Sequence, residues 1–260
     1  MTSLIDFDIK DDSIAVLTLN RPEAMNALSK GLLDELNEYV RKINADNSLR
    51  CTIITGSGEK AFCAGADLKE RKGMTEEQVI EAVHYIGSTA RNIENMKMPV
   101  IAAINGAAFG GGLELALACD MRIAADHAKL GLTETSLAII PGAGGTQRLP
   151  RLIGPGQAKR LIFTAKRITA EEALNLGMAE QVTSSDNLLQ KAIETAQAII
   201  KNGPVALRQA KTAINQGLQT DMTTGLSIEH LCYKETVSTD DRLEGLHAFK
   251  EKRNPVYKGK

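Results

Sequence analysis

The pattern that most restricts the fold is an alternation of short β-type runs with helical periodicity in the first part of the chain. Residues 14–19 (IAVLTL) and 51–55 (CTIIT) are apolar runs rich in β-branched residues, and turn-forming residues end both. Between them, apolar residues recur with the 3.6-residue period of a helix, at positions 32, 33, 36, 40 and 43. This order predicts a strand, helix, strand unit and therefore an α/β protein.

A second helix and a third strand follow. Thr75 and Gln78 have the spacing of a capping box, which predicts a helix that begins there and ends before Pro99. Residues 99–104 (PVIAAI) are typical of a buried strand. A glycine-rich turn at 106–112 and a helix at 113–119 are expected next.

The C-terminal part has a different character. From residue 146 onward the pattern is mostly helical, with a capping box at Thr169 and Glu172 and an N1 proline at Pro204. We therefore expect an α/β core over residues 1–196 and a helical C-terminal subdomain over residues 197–260.

Charge and hydropathy exclude several classes of protein. The 31 basic and 32 acidic residues give a net charge of −1, which does not favour nucleic acid or an anionic membrane. The longest uncharged stretch, residues 98–113, is shorter than the roughly 18–20 apolar residues of a membrane span. The first residues have no basic and apolar signal segment, so we expect a cytoplasmic protein with no membrane association.

The cysteines and histidines give no sign of a metal site. Cys51, Cys63, Cys119 and Cys232 lie far apart and form no C-x-x-C, so buried free thiols are expected. The four histidines form no H-x-x-x-H pair. We therefore predict that no metal is bound.

Two glycine-rich segments, residues 62–69 (FCAGADLK) and 105–114 (NGAAFGGGLE), each follow a predicted strand. Small residues let a ligand approach the backbone, where free N–H groups can stabilise an oxyanion; the alternative is that the glycines only form tight turns. Neither G-x-G-x-x-G nor G-x-x-x-x-G-K-[ST] occurs, so a dinucleotide site or a P-loop is not favoured.

Two glutamates are candidates for acid–base chemistry. Glu114 follows the glycine run and has apolar neighbours, so its carboxylate is expected to be buried and to need a partner. Taken alone, an acid in a first helical turn more often stabilises the helix dipole. Glu134 precedes the glycine-rich residues 139–145, although a lone loop glutamate is usually solvated. If the two carboxylates meet, burial and like charge raise a pKa toward neutral pH.

These segments resemble, in order, those of the crotonase, or enoyl-CoA hydratase/isomerase, superfamily, over nearly the whole chain. The matching segments are residues 20–22 (NRP), 61–69 (AFCAGADLK), 101–106 (IAAING), 110–116 (GGGLELA), 119–120 (CD), 140–149 (IPGAGGTQRL) and 249–255 (FKEKRNP).

The resemblance implies a crotonase-like α/β spiral of ββα units with a C-terminal helical trimerisation region. It also implies an acyl-CoA thioester substrate, no separate cofactor, since coenzyme A enters with the substrate, and a homotrimer or a homohexamer built as a dimer of trimers. By the same resemblance the N–H groups of Ala66 and Gly111 form an oxyanion hole. The residues expected to bind substrate are Ala64, Ala66, Asp67, Leu68, Lys69 and Gly111.

Glu114 and Glu134 match the two glutamates of the hydratases of this superfamily. The expected function is therefore an enoyl-CoA hydratase, a carbon–oxygen lyase that adds water across the C2=C3 bond of a trans-2-enoyl-CoA. Its expected place is fatty-acid or branched-chain amino-acid catabolism. The alternatives are a methylglutaconyl-CoA hydratase of leucine breakdown and a non-catalytic acyl-CoA-binding protein.

Some motifs are most similar to the methylglutaconyl-CoA hydratases, one of which also binds AU-rich RNA through lysines along its first helix. In this chain Lys30 is followed at four-residue steps by Asp34 and Glu38. Acidic side chains repel the phosphates that dominate nucleic-acid affinity. RNA binding is therefore predicted to be weak at most.

Overall fold

The computed structural model describes residues 3–260, which form two sheets flanked by helices. The larger sheet has the strand order β1, β2, β3, β5, β7, β10, and the smaller has β4, β6, β8, β9. The strands are β1 (Ile5–Lys10), β2 (Ile14–Leu19), β3 (Cys51–Gly56), β4 (Ala61–Cys63), β5 (Val100–Ile104), β6 (Ala107–Phe109), β7 (Met121–Ala125), β8 (Lys129–Gly131), β9 (Ile168–Thr169) and β10 (Gln181–Thr183).

Eleven α-helices connect and cover these strands within residues 3–260. They are α1 (Lys30–Ala45), α2 (Leu68–Arg71), α3 (Glu76–Glu94), α4 (Gly111–Leu117), α5 (Gly145–Ile153), α6 (Pro155–Phe163), α7 (Ala170–Leu176), α8 (Leu188–Ile200), α9 (Pro204–Gly217), α10 (Met222–Val237) and α11 (Asp240–Glu251). Short 3-10 helices cover Pro22–Ala24, Glu134–Leu137 and Ser185–Asn187.

The chain repeats one unit three times. Strands β3, β5 and β7 enter the larger sheet in parallel, and each is followed within a few residues by a parallel strand of the smaller sheet, β4, β6 or β8. Helical segments follow each pair of strands. This is a spiral of ββα units with the helical region after it, so the predicted fold class is confirmed.

The first long helix packs as its sequence predicts. Its five periodic apolar residues, Leu32, Leu33, Leu36, Val40 and Ile43, are all buried in the core. The Ser29 hydroxyl accepts a hydrogen bond from the Leu32 N–H and caps the helix. The capping boxes predicted for α3 and α7 are both present, because each threonine and its N3 partner exchange two hydrogen bonds.

The glycine segment at 106–112 is more ordered than the predicted turn. It contains strand β6, and helix α4 begins at Gly111, two residues earlier than expected. A side chain at Gly112 would overlap the carbonyl group of Cys63 in strand β4. Glycine is therefore needed at 112 because the helix starts in contact with the neighbouring strand.

The C-terminal helices are joined to the core by a half-buried ion pair between Lys211 of α9 and Asp120, at 2.8 Å. The predicted division between residues 196 and 197 lies inside α8 and stays a prediction. Helices α9 to α11 expose large apolar side chains, among them Ile214, Met222, Leu226, Leu231, Tyr233, Leu246 and Phe249.

All four cysteines are buried free thiols, as predicted. Burial raises the pKa of Cys51, Cys63 and Cys119 to about 12 in each case. Residues 3–260 contain no cluster of three or more metal-binding side chains. In the same range, no helix combines the length and the hydropathy that crossing a membrane requires.

Candidate active site

Two backbone N–H groups, those of Ala66 and Gly111, lie close together just after strands β4 and β6. Leu28 pairs with the residues on either side of Ala66: its N–H donates to the Gly65 carbonyl, and its carbonyl accepts from the Asp67 N–H. The N–H of Ala66 itself has no acceptor within residues 3–260. A Cβ atom on Gly111 would lie 3.8 Å from the Ala66 nitrogen. The structure thus brings the two predicted oxyanion donors together.

Strand pairing and the backbone conformation of Gly110 position the second donor, the N–H of Gly111. The Gly110 N–H donates to the Gly131 carbonyl across the pair of strands β6 and β8. Gly110 has φ of +51°, a left-handed conformation that favours glycine, and it turns the chain into helix α4. The N–H of Gly111 then lies in the first turn of that helix, where the intrahelical hydrogen bonds have not begun.

The other predicted substrate-binding residues, on either side of Ala66, differ from one another in burial and in hydrogen bonding. The Asp67 carboxylate accepts hydrogen bonds from the N–H groups of Lys69 and Glu70, and it forms a 2.9 Å ion pair with Arg21. It therefore fixes the loop and caps α2, and both of its oxygens are engaged. Leu68 and Lys69 are exposed, and Ala64 is half-buried.

Glu114 lies one turn into α4 and is only 2% exposed, so its predicted burial is confirmed. Its Oε1 accepts hydrogen bonds from the N–H groups of Ala143 and Gly145, both at 2.7 Å. Burial raises the pKa of Glu114, while these two hydrogen bonds and the positive charges of Arg148 and Arg71 oppose the rise. The carboxylate is thus buried in a fixed orientation.

Glu134 is half-buried at the start of a 3-10 helix rather than in a loop. Its Oε2 is buried and has no hydrogen-bond partner among the described residues. Burial raises the pKa of Glu134 to about 7, and the negative charge of Glu114 adds to the rise. Such a carboxyl group is half protonated near neutral pH.

The two glutamates meet because strand β6 pairs with β8. Phe109 is paired with Gly131, so Glu134, three residues further along, lies over the start of α4. A Cβ on Gly110 would lie 3.1 Å from the Glu134 Oε1. Glu114 is one turn further along, so the structure brings both glutamates to the start of α4, the helix that begins at Gly111.

Two arginines near the glutamates did not emerge from the sequence. The positive charge of Arg71, in α2, lowers the pKa of both glutamates, and its guanidinium forms no ion pair within residues 3–260. Arg148, in α5, acts on Glu114 in the same direction. Arg148 lies in the matching segment 140–149, which is the signal that could have pointed to it.

A ββα spiral with a buried glutamate and a half-buried glutamate at the start of α4 fits a crotonase-type protein, as the sequence predicts. The profile of the enoyl-CoA hydratase/isomerase family matches residues 10–260. The chain belongs to this family and is an enzyme of the enoyl-CoA hydratase type.

Similar proteins match this chain over nearly its whole length. YngF of Bacillus subtilis, named for the enoyl-CoA hydratase/isomerase family, is 58% identical over 259 residues and covers 100% of both chains. The mitochondrial methylglutaconyl-CoA hydratase of Mus musculus is 53% identical over 250 residues, which are 95% of this chain and 80% of that protein. The crystal structure of enoyl-CoA hydratase from Bacillus anthracis superposes with a TM-score of 0.98 at 56% identity, covering 99% of this chain and 100% of that one.

Proposed function

We propose that this protein hydrates the C2=C3 bond of a trans-2-enoyl-CoA thioester to give a 3-hydroxyacyl-CoA. The observation that carries the proposal is that Glu114 and Glu134 both lie at the start of α4, whose first residue, Gly111, is close to the Ala66 nitrogen. The reaction is redox neutral and consumes only water, and coenzyme A enters as part of the substrate.

The N–H groups of Ala66 and Gly111 would bind the thioester oxygen. As water adds to C3, the π electrons move toward C2 and negative charge develops on that oxygen. Each backbone donor aimed at a developing oxyanion is worth about 3–4 kcal/mol in comparable sites. Because neither N–H has an acceptor in residues 3–260, both are available to the substrate.

Glu114 would orient the water and accept its proton. Burial raises the pKa of Glu114, but two backbone N–H groups and two arginines oppose the rise and favour the charged form that a base needs. Glu134 would deliver the proton to C2, because a pKa of about 7 keeps much of it protonated at neutral pH. The C3–O bond and the C2–H bond form, and the C2=C3 π bond is lost.

Turnover of crotonyl-CoA by Glu114→Gln and Glu134→Gln tests this assignment. We expect kcat to fall by about 100-fold or more in each, in the range of losses from removing a general acid or base. Glu229→Gln, which changes an exposed glutamate of α10, is the matched control. Near wild-type turnover in either site variant would remove that residue from the mechanism. No turnover of crotonyl-CoA by the wild type would contradict the hydration of this substrate.

A second candidate substrate is 3-methylglutaconyl-CoA, whose acyl chain ends in a carboxylate. Arg71 favours it, because this cation acts on both glutamates and forms no ion pair within the described chain. A relative 53% identical is named for this substrate. We expect Arg71→Met to lower kcat/KM for 3-methylglutaconyl-CoA by about 10-fold more than for crotonyl-CoA, a typical value for one charged contact. Equal losses for both substrates would contradict the role in substrate selection.

The assembly and other partners follow from the surface. The exposed apolar side chains of α9 to α11 support the expected homotrimer or homohexamer, since such patches mark contacts between chains. On α1, Lys30 pairs with Asp34 and Lys42 with Glu38, so the lysines that RNA would need are neutralised.

The expected cytoplasmic location and the pathway, fatty-acid or branched-chain amino-acid breakdown, stay predictions.

A further inference from the structure

We propose that Arg148, fixed by Glu94, is a positioning residue that orients the carboxylate of Glu114. The inference rests on the proposed function, because Glu114 is the group that orients water there. Arg148 is a positioning residue rather than a catalytic one, since its contacts are to Glu94 and to the turn at residues 142–145, and none is to the space between the glutamates.

The guanidinium of Arg148 is fixed on one side by a two-point ion pair. Its Nε donates to one carboxylate oxygen of Glu94 at 2.8 Å, and its Nη2 donates to the other at 2.7 Å. Glu94 is the last residue of α3, and the side chain of Arg148 is only 14% exposed. Two parallel hydrogen bonds between planar groups fix orientation as well as distance.

On its other side the guanidinium contacts the turn that leads into α5. The Nη1 of Arg148 donates to the Ala143 carbonyl at 3.1 Å, and the Arg148 backbone N–H donates to the Gly144 carbonyl at 2.8 Å. Gly144 has φ of +111°, and a side chain there would overlap Nη1. The turn and the guanidinium are therefore packed together with no space between them.

The same turn orients Glu114 from its opposite face. The Ala143 N–H and the Gly145 N–H both donate to Glu114 Oε1 at 2.7 Å. Ala143 thus donates to Glu114 through its N–H and accepts from Arg148 through its carbonyl. Four residues in series, Glu94, Arg148, Ala143 and Glu114, connect the end of α3 to the catalytic carboxylate of the proposed reaction.

Arg148 also acts on Glu114 through its charge. Its positive charge lowers the pKa of Glu114, as does that of Arg71 from α2, whereas burial raises it. Glu134, from its 3-10 helix, is the acidic group that faces Glu114. Behind the turn, Arg148 opens onto a cavity of about 1030 Å³. The other charged or titratable residues that line this cavity are His84, Arg91, Glu94, Cys119, Asp120, Arg122, Arg151 and Lys211.

The test compares Arg148→Met, Arg148→Lys and Glu94→Gln with the control Arg151→Met. Arg151 is on the same helix and lines the same cavity, but it is exposed, and within residues 3–260 its guanidinium donates only to Gln147. We expect kcat for crotonyl-CoA to fall about 10-fold or more in Arg148→Met, because misplacement of a catalytic group by about 1 Å can cost about 100-fold. KM should stay within about two-fold, since the donors to the thioester oxygen are unchanged.

The pH profile separates positioning from general support of the fold. Removal of the Arg148 charge raises the pKa of Glu114, so the acidic limb of kcat/KM should move to higher pH in Arg148→Met and stay in place in Arg151→Met. Arg148→Lys keeps the positive charge but loses the two-point contact with Glu94. In this variant kcat should fall, while the acidic limb of kcat/KM should move less than in Arg148→Met. In the Glu114→Gln background, Arg148→Met should have little further effect. An unmoved limb, or fully additive losses, would overturn the proposal.

A crystal structure of Arg148→Met adds a readout that does not depend on turnover. We expect the hydrogen bond from the Ala143 N–H to Glu114 Oε1 to be lost or the turn to adopt a second conformation. Retention of the wild-type contact would overturn the proposal even if kcat falls. If the contact is lost but the wild type does not hydrate crotonyl-CoA, the proposed function fails and the positioning role of Arg148 stands.

Discussion

Raising the pH from 6 to 9 should remove most of the hydration activity if Glu134 delivers the proton to C2. Burial raises the pKa of Glu134 from its ordinary value of 4.5 to about 7. At that pKa about 90% of the free enzyme carries the proton at pH 6, and about 1% carries it at pH 9. An unburied glutamate would be protonated in only about 0.3% of molecules at pH 7, so burial raises the reactive form about 150-fold.

The assay is the initial rate of crotonyl-CoA hydration, followed by the loss of enoyl-thioester absorbance and expressed as kcat/KM. We expect an alkaline limb with a midpoint near pH 7 that lowers kcat/KM by about 90-fold between pH 6 and pH 9. Glu134→Gln should lose this limb together with most of the rate, and Glu229→Gln should keep it. A flat wild-type profile from pH 6 to pH 9 would refute the assignment of Glu134 as the proton donor.

Three further perturbations test the fold and the surface. Gly112→Ala should lower the free energy of unfolding by about 1–3 kcal/mol, because its methyl group overlaps the Cys63 carbonyl; urea unfolding measures this, and an unchanged midpoint would contradict the close contact. Asp67→Ala should lower stability by about 3 kcal/mol by leaving Arg21, whose side chain is 18% exposed, without its carboxylate. Asp8→Ala, which breaks an exposed ion pair, should leave the unfolding midpoint nearly unchanged. The three thiols with a pKa of about 12 should react with a thiol reagent at pH 8 only after denaturation, and rapid labelling of the native protein would show that they are accessible.

Local signals predicted much of the fold. The strands at 14–19 and 51–56, the buried face of α1 and the two capping boxes all depend on residues within a few positions of one another. Strand β1 was not predicted, although its sequence, IDFDIK, has the alternation of apolar and polar residues that is typical of a strand. Strands β4, β6 and β8 have three residues each, too few to show a period, and they form only by pairing with distant segments.

The candidate active site, like the fold, could be predicted from the sequence only in part. The apolar neighbours of Glu114 predicted its burial, and the glycine motifs indicated where backbone donors would lie. The resemblance assigned Ala66, Gly111 and both glutamates to one site, but the residues alone left the meeting of the acids open. Arg148 and Glu94, which are 54 positions apart, had no signal that joined them.

By itself, the sequence determined the longer strands β2, β3 and β5, the buried face of α1, the two capping boxes, and the family to which the spiral belongs. Only the tertiary structure decided that Glu134 lies over the start of α4, because that contact depends on the pairing of β6 with β8. It also decided the pKa of about 7 and the series of contacts from Glu94 to Glu114. The burial of a carboxyl group and the charges near it depend on distances in space, so residues that are far apart in the chain determine its pKa.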